Sequence, residues 1–149
     1  MENNKIKEKL VLHGACHCKK VKYTCSLNVS NILDIISYKC NCSICSVYRF
    51  WEILIKEKDM VEIKKESLKE YKFEPFNHIH YFCSECGTHP FGFSKIGVEE
   101  TDNEPFYFIN VPTIIGLTPE ILEGLNKKVR YLDGESDNFK HEPSFKSYL

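Results

Sequence analysis

The sequence predicts a mainly β protein built of small antiparallel sheets, with at most one short helix near its C-terminal end. Three observations predict it. Short apolar runs alternate with polar residues at the period of a half-buried strand, turn-forming residues separate these runs, and cysteines stand in close groups at the run ends. With 149 residues the chain is long enough to bury one sizeable core, and it reads as a single domain over residues 1–149.

In chain order, residues 10–14 and 19–25 read as the two strands of a hairpin with Cys16 and Cys18 near its turn. Alternation puts Val21, Tyr23 and Cys25 on one face. Residues 28–31 are polar and turn-like, and residues 32–40 read as a further strand that ends in the cluster Cys40-Asn41-Cys42-Ser43-Ile44-Cys45. Residues 51–55, 61–63 and 68–73 resemble short strands, and residues 78–83 lead directly into Cys83-Ser84-Glu85-Cys86-Gly87. Residues 91–94 and 106–111 continue the β pattern.

Thr118 before Pro119 and Glu120 is a good helix start, because a hydroxyl caps free amides and proline fits the first turn. The expected helix covers residues 119–125, and nothing else is strongly helical. The tail over residues 133–149 is polar enough to wrap the surface or fray.

The 20 basic and 21 acidic residues leave a formal charge of -1, which gives no global field toward nucleic acid or an anionic membrane. The opening run Met1 to Lys9 lacks an apolar stretch of signal-peptide length, and no run reaches the roughly 20 apolar residues of a membrane span. The expected setting is the cytoplasm, with the nucleus left open. Disulfides do not persist in a reducing compartment, so eight cysteines there point to metal.

Zinc takes four soft or borderline ligands in a tetrahedron, which chains supply as closely spaced pairs. Cys16-His17-Cys18 sets two thiols two residues apart, on the same face of an extended backbone, with His17 pointing away. Cys83-Ser84-Glu85-Cys86 followed by Gly87 is a turn whose thiols converge, and it is the most specific local signal. The third group offers three thiols within six residues.

The simplest allocation gives one ion to Cys16, Cys18, Cys83 and Cys86 as a closed structural site. It leaves Cys40, Cys42 and Cys45 to hold a second ion with one position open, as catalytic zinc has. The other reading has a histidine or Cys25 completing the second site, which makes both ions structural. Cys25 shares a face with Val21 and Tyr23 and reads as core. His78 and His80 face opposite to Cys83 on a regular strand, in a surface or packing role, and His89 is the better functional candidate. Arg49, four residues after Cys45, could meet a carboxylate of a thiol substrate.

Gly14-Ala15-Cys16-His17-Cys18, Cys40-Asn41-Cys42-Ser43-Ile44-Cys45 and Tyr81-Phe82-Cys83-Ser84-Glu85-Cys86-Gly87-Thr88 resemble the glutathione-dependent formaldehyde-activating enzyme and centromere protein V family. The resemblance covers about residues 10–133. Tyr107 to Val111 and Val129 to Gly134 look like the family's later, less specific segments.

The resemblance implies a zinc-bearing β-tent with two zinc ions, the four-cysteine ion structural and the three-cysteine ion near the substrate thiol. It also implies a carbon–sulfur lyase reaction, the reversible joining of formaldehyde to glutathione to give S-hydroxymethylglutathione, with a small thiol as partner. The alternative is a non-catalytic, zinc-stabilised binding module with a protein partner. After Cys45 many relatives carry basic residues and a small turn, whereas this chain has Ser46-Val47-Tyr48-Arg49-Phe50-Trp51. Three large rings therefore stand beside the expected glutathione pocket.

Overall fold

A computed structural model describes residues 8–149; most of the charged lead-in lies outside the described residues. Ten strands and two helices follow in the order β1 (Leu10–Ala15), β2 (Val21–Leu27), β3 (Tyr38–Cys40), α1 (Ser43–Tyr48), β4 (Trp51–Lys56), β5 (Met60–Lys65), β6 (Leu68–Tyr71), β7 (His78–Cys83), β8 (Phe91–Ser94), β9 (Phe106–Asn110), α2 (Pro119–Lys127) and β10 (Arg130–Leu132). The mainly β expectation holds. No helix among the described residues is long and apolar enough to cross a membrane.

The strands form two sheets. The small one has the order β1-β2-β5, and the large one the order β10-β3-β4-β9-β8-β7-β6, antiparallel throughout except for the parallel pair β10 and β3. Alternation explains how they meet: Val21, Tyr23 and Cys25 of β2 and Ile53 and Ile55 of β4 turn into one shared core with Phe91 and Ile109. Cys25 is fully buried there, as its strand face requires.

Tyr23 ties the sheets together. Its hydroxyl lies 2.9 Å from that of Thr113, which donates in turn to the Asn110 carbonyl at 2.7 Å. Gly14 stands opposite Tyr23 in the hairpin, and a Cβ there would come within 1.8 Å of the tyrosine ring. Only glycine lets the ring cross the strand at that point.

Two elements differ from the sequence reading. The expected strand over residues 32–40 opens instead as a single 3-10 turn, Ile32–Asp34, and only its end, β3, is extended. Asn31 explains this: its side chain accepts from the Leu33 amide at 2.9 Å and caps the turn, so local hydrogen bonding outweighs β-branched propensity. The second is α1, formed by Ser43–Tyr48 although no helix was expected there. Six residues carry too little periodicity to betray a helix; this one starts at Cys42, whose carbonyl accepts from the Ser46 amide at 3.0 Å, and closes with the Phe50 amide on the Cys45 carbonyl at 3.1 Å. The helix expected over residues 119–125 forms as α2, capped by the Thr118 hydroxyl, and runs to Lys127.

Candidate metal centres

The first cysteine group is gathered from two distant turns. Between β1 and β2 the chain folds back with the Cys16 amide on the Val21 carbonyl at 3.0 Å and the Lys19 amide on the Cys16 carbonyl at 3.1 Å. Cys16 and Cys18 converge because of this turn, not because they share a face of extended backbone as the spacing suggested. After β7, the Gly87 amide reaches the Cys83 carbonyl at 2.8 Å with φ of 73°, a conformation that suits glycine.

The sulfur of Cys18 lies 3.6 Å from that of Cys16 and 3.6 Å from that of Cys83. Cys86 completes the group, all four sulfurs lying within 4.8 Å of one another. A tetrahedral zinc with bonds of about 2.3 Å sets its sulfurs roughly 3.8 Å apart, so the spacing fits such an ion. The Val21 amide donates to the Cys16 sulfur at 3.3 Å, which steadies a thiolate. The hydrogen bond between Cys86 and the Thr88 hydroxyl, aided by nearby amides, holds the Cys86 thiol down to about 5. His17 is exposed and takes no part.

The second group is local. Cys40 ends β3, Cys42 precedes α1 and Cys45 lies within it, their sulfurs also within 4.8 Å of one another. The Cys42 amide donates to the Cys40 sulfur at 3.4 Å. Hydrogen bonding from Cys40 and Cys45 holds the Cys42 thiol down to about 2, while Cys42 pushes Cys40 up to about 12. Among the described residues no histidine, aspartate, glutamate or fourth cysteine joins it. Cys25 lies instead in the core shared by the two sheets.

The C-terminal tail covers one side of this second group. Asn41 donates to the Asp133 carboxylate at 2.8 Å and accepts from the Glu135 amide at 2.9 Å. Gly134 is thereby laid against the cysteines: a Cβ there would stand 2.5 Å from the Cys40 sulfur and 2.8 Å from the Cys42 Cβ. The tail wraps instead of fraying. Asn41 and Gly134 were missed as site residues, although the first sits inside the cysteine cluster and the second in a segment already noted.

The opposite side is the outer face of the large sheet. Glu52, Phe108 and His80 share this face, and Cys45 and Tyr48 pack on it beside Phe50, Phe106 and Phe108. Tyr48 stacks on His89 with centroids 3.8 Å apart, and His89 Nδ1 is buried without a hydrogen-bond partner. Burial pushes the partly covered Glu52 carboxyl up to about 8, with the Cys42 charge adding to it, and holds the His80 imidazole down to about 4. Alternation does turn His78 and His80 away from Cys83, but toward the second cysteine group.

The three large rings after Cys45 separate. Phe50 enters the apolar cluster and Trp51 donates to the Ser37 hydroxyl at 2.9 Å, leaving Tyr48 to face the site. Arg49 caps α1 with φ of 53°, reaches the Ser46 carbonyl, and lies 5.3 Å from the Tyr148 ring. A cleft of about 550 Å³, bounded by Ile35, Tyr38, Leu54, Lys56, Glu100 and Arg130 among others, is lined by no cysteine.

A sequence model described as glutathione-dependent formaldehyde-activating enzyme matches residues 11–115, a span that takes in every clustered cysteine. The fold is similar to that of a Rhodobacter sphaeroides protein known from a crystal structure, with a TM-score of 0.62 and 24% identity over 80% of this chain and 98% of that one. No curated protein matches the chain. With the family's cysteine groups each drawn together, the chain belongs to the glutathione-dependent formaldehyde-activating enzyme family.

Proposed function

We propose that the protein is a zinc-dependent carbon–sulfur lyase acting on the adduct of a small thiol with an aldehyde, such as S-hydroxymethylglutathione. The observation that carries this is the inequality of the two cysteine groups, four thiols in one and, among the described residues, three in the other. Cys16, Cys18, Cys83 and Cys86 would hold a structural zinc, and Cys40, Cys42 and Cys45 a second. When bound by three thiolates, zinc keeps a fourth position in which a substrate thiol is favoured as thiolate.

The chain's own residues supply the rest. In the joining direction the sulfur gives up its proton and attacks the carbonyl carbon, the carbon–sulfur bond forms, and the oxygen takes a proton as the C=O bond becomes single. The reverse breaks the carbon–sulfur bond and returns the proton to sulfur. Glu52 and Tyr48 offer hydrogen-bond donors for that oxygen on the outer sheet face, and His80 shields it from water. Arg49, once released from Tyr148, would meet a carboxylate of the thiol. The shared core supports reading the chain as one domain, and free thiol chemistry suits the reducing cytoplasm.

The test is a metal count followed by glutathione titration of the cobalt-substituted protein. Two metals and a change in the cobalt–thiolate absorption are expected. Two metals with no response to any thiol would sink the lyase reading in favour of a zinc-stabilised binding module.

A further inference from the structure

On the outer face of the large sheet a run of rings leads from solvent to the three-cysteine group. Tyr71 and Phe73 stand at its outer end, 46% and 37% exposed, with centroids 5.8 Å apart. Phe73 stacks on His80 at 5.6 Å with planes 14° apart, and His80 meets Phe108 at 5.5 Å and Tyr48 at 6.4 Å. Tyr48 sits one helical turn beyond Cys45, and both pack against the Phe106 and Phe108 cluster. The run is continuous, and its inner end is the second cysteine group.

Packing accounts for the inner rings but not for the outer ones. His80 is nearly closed from water, as a packed ring should be, whereas Tyr71, Phe73 and Phe76 stay open to it within six residues of chain. Single exposed apolar side chains are ordinary, but a contiguous patch that runs into a reactive site marks a binding surface. The charged neighbours of Tyr71, Glu70 and Lys72, pair with each other at 3.0 Å, so what the run itself offers a ligand is ring faces and edges.

We propose that this path binds the non-reacting end of the thiol substrate, and that this end is an aromatic or heteroaromatic ring stacked on Phe73 and Tyr71. The proposal rests on the reading of the three-cysteine group as a thiol-binding position. It gives the substrate a class that small aliphatic thiols do not meet.

The test measures heats of binding of 6-phenylhexane-1-thiol, 6-cyclohexylhexane-1-thiol and 2-mercaptoethanol to the zinc-loaded protein, the alkyl spacer spanning the His80 and Tyr48 rings that separate Phe73 from the cysteines. The first two differ in aromaticity at nearly equal size. The phenyl thiol should bind about threefold to tenfold more tightly than its saturated counterpart, the worth of one aromatic pair. Phe73→Leu, which keeps an apolar side chain at an exposed position, and separately Tyr71→Ala should bring that ratio toward one without changing the binding of 2-mercaptoethanol. Equal affinities in the unaltered protein, or a preference that survives both substitutions, would overturn the proposal while leaving the thiol site standing. Silence with all three thiols would overturn both.

Discussion

The two cysteine groups use one chemistry for opposite structural ends. Cys16 and Cys18 meet Cys83 and Cys86 across 65 residues of chain, and a metal there joins the hairpin of the small sheet to the end of β7 in the large one. Cys40, Cys42 and Cys45 lie within six residues, and a metal there closes almost no chain. On the proposed reading the first group contributes to folding and the second is free to react. On that reading ligand count and loop length, more than ligand type, separate a structural from a reactive site.

The strongest way to break this comparison is to remove one cysteine from each group. Cys86→Ala should abolish the cooperative melt seen by circular dichroism, because apparent zinc-binding free energies of the order of 10 kcal/mol or more become folding free energy when the site closes a long loop. Cys42→Ser should lose one metal and the response to thiols, yet melt within a few degrees of the unaltered protein. Equal melting losses would make both sites structural.

A smaller effect is expected at the tail. Gly134→Ala puts a methyl group against the Cys40 sulfur and should weaken the second metal by about 1–3 kcal/mol, read by competition with a chelator, while the first metal stays bound. Tyr23→Phe removes the hydroxyl that reaches Thr113 and should cost about 1 kcal/mol in denaturant unfolding with both metals retained. It separates the joining of the sheets from the holding of metal.

The smallest effect is a slope. Burial holds His80 down to about 4 against an ordinary 6.5, so between these values the unfolded chain binds the proton and the folded one does not. Stability from this group is full above about 6.5 and falls as pH drops toward 4. His80→Phe should flatten that slope, measured as unfolding midpoint against pH.

Much of this was legible in the sequence because it is local or periodic. The alternation of Val21, Tyr23 and Cys25 gave the core face of β2, Thr118 before Pro119 gave the start of α2, and the spacing of the cysteines gave both groups. What was not legible depends on distant partners. Nothing near Asn41 in the chain announces Asp133 and Glu135 as its partners, and nothing near Gly134 announces the Cys40 sulfur. The role of Tyr48 depends on His80 and His89, which arrive from β7 and the turn beyond it. Helix α1 was hidden for a different reason, since six residues are too few to display an amphipathic pattern.

X-ray absorption at the zinc edge tests the inequality of the two sites most directly. The fully loaded protein should show roughly 3.5 sulfurs per zinc on average, rising to about 4 when a substrate thiol saturates the second site. A value of about 4 before any thiol is added, or one that thiol leaves unchanged at 3.5, would contradict the account.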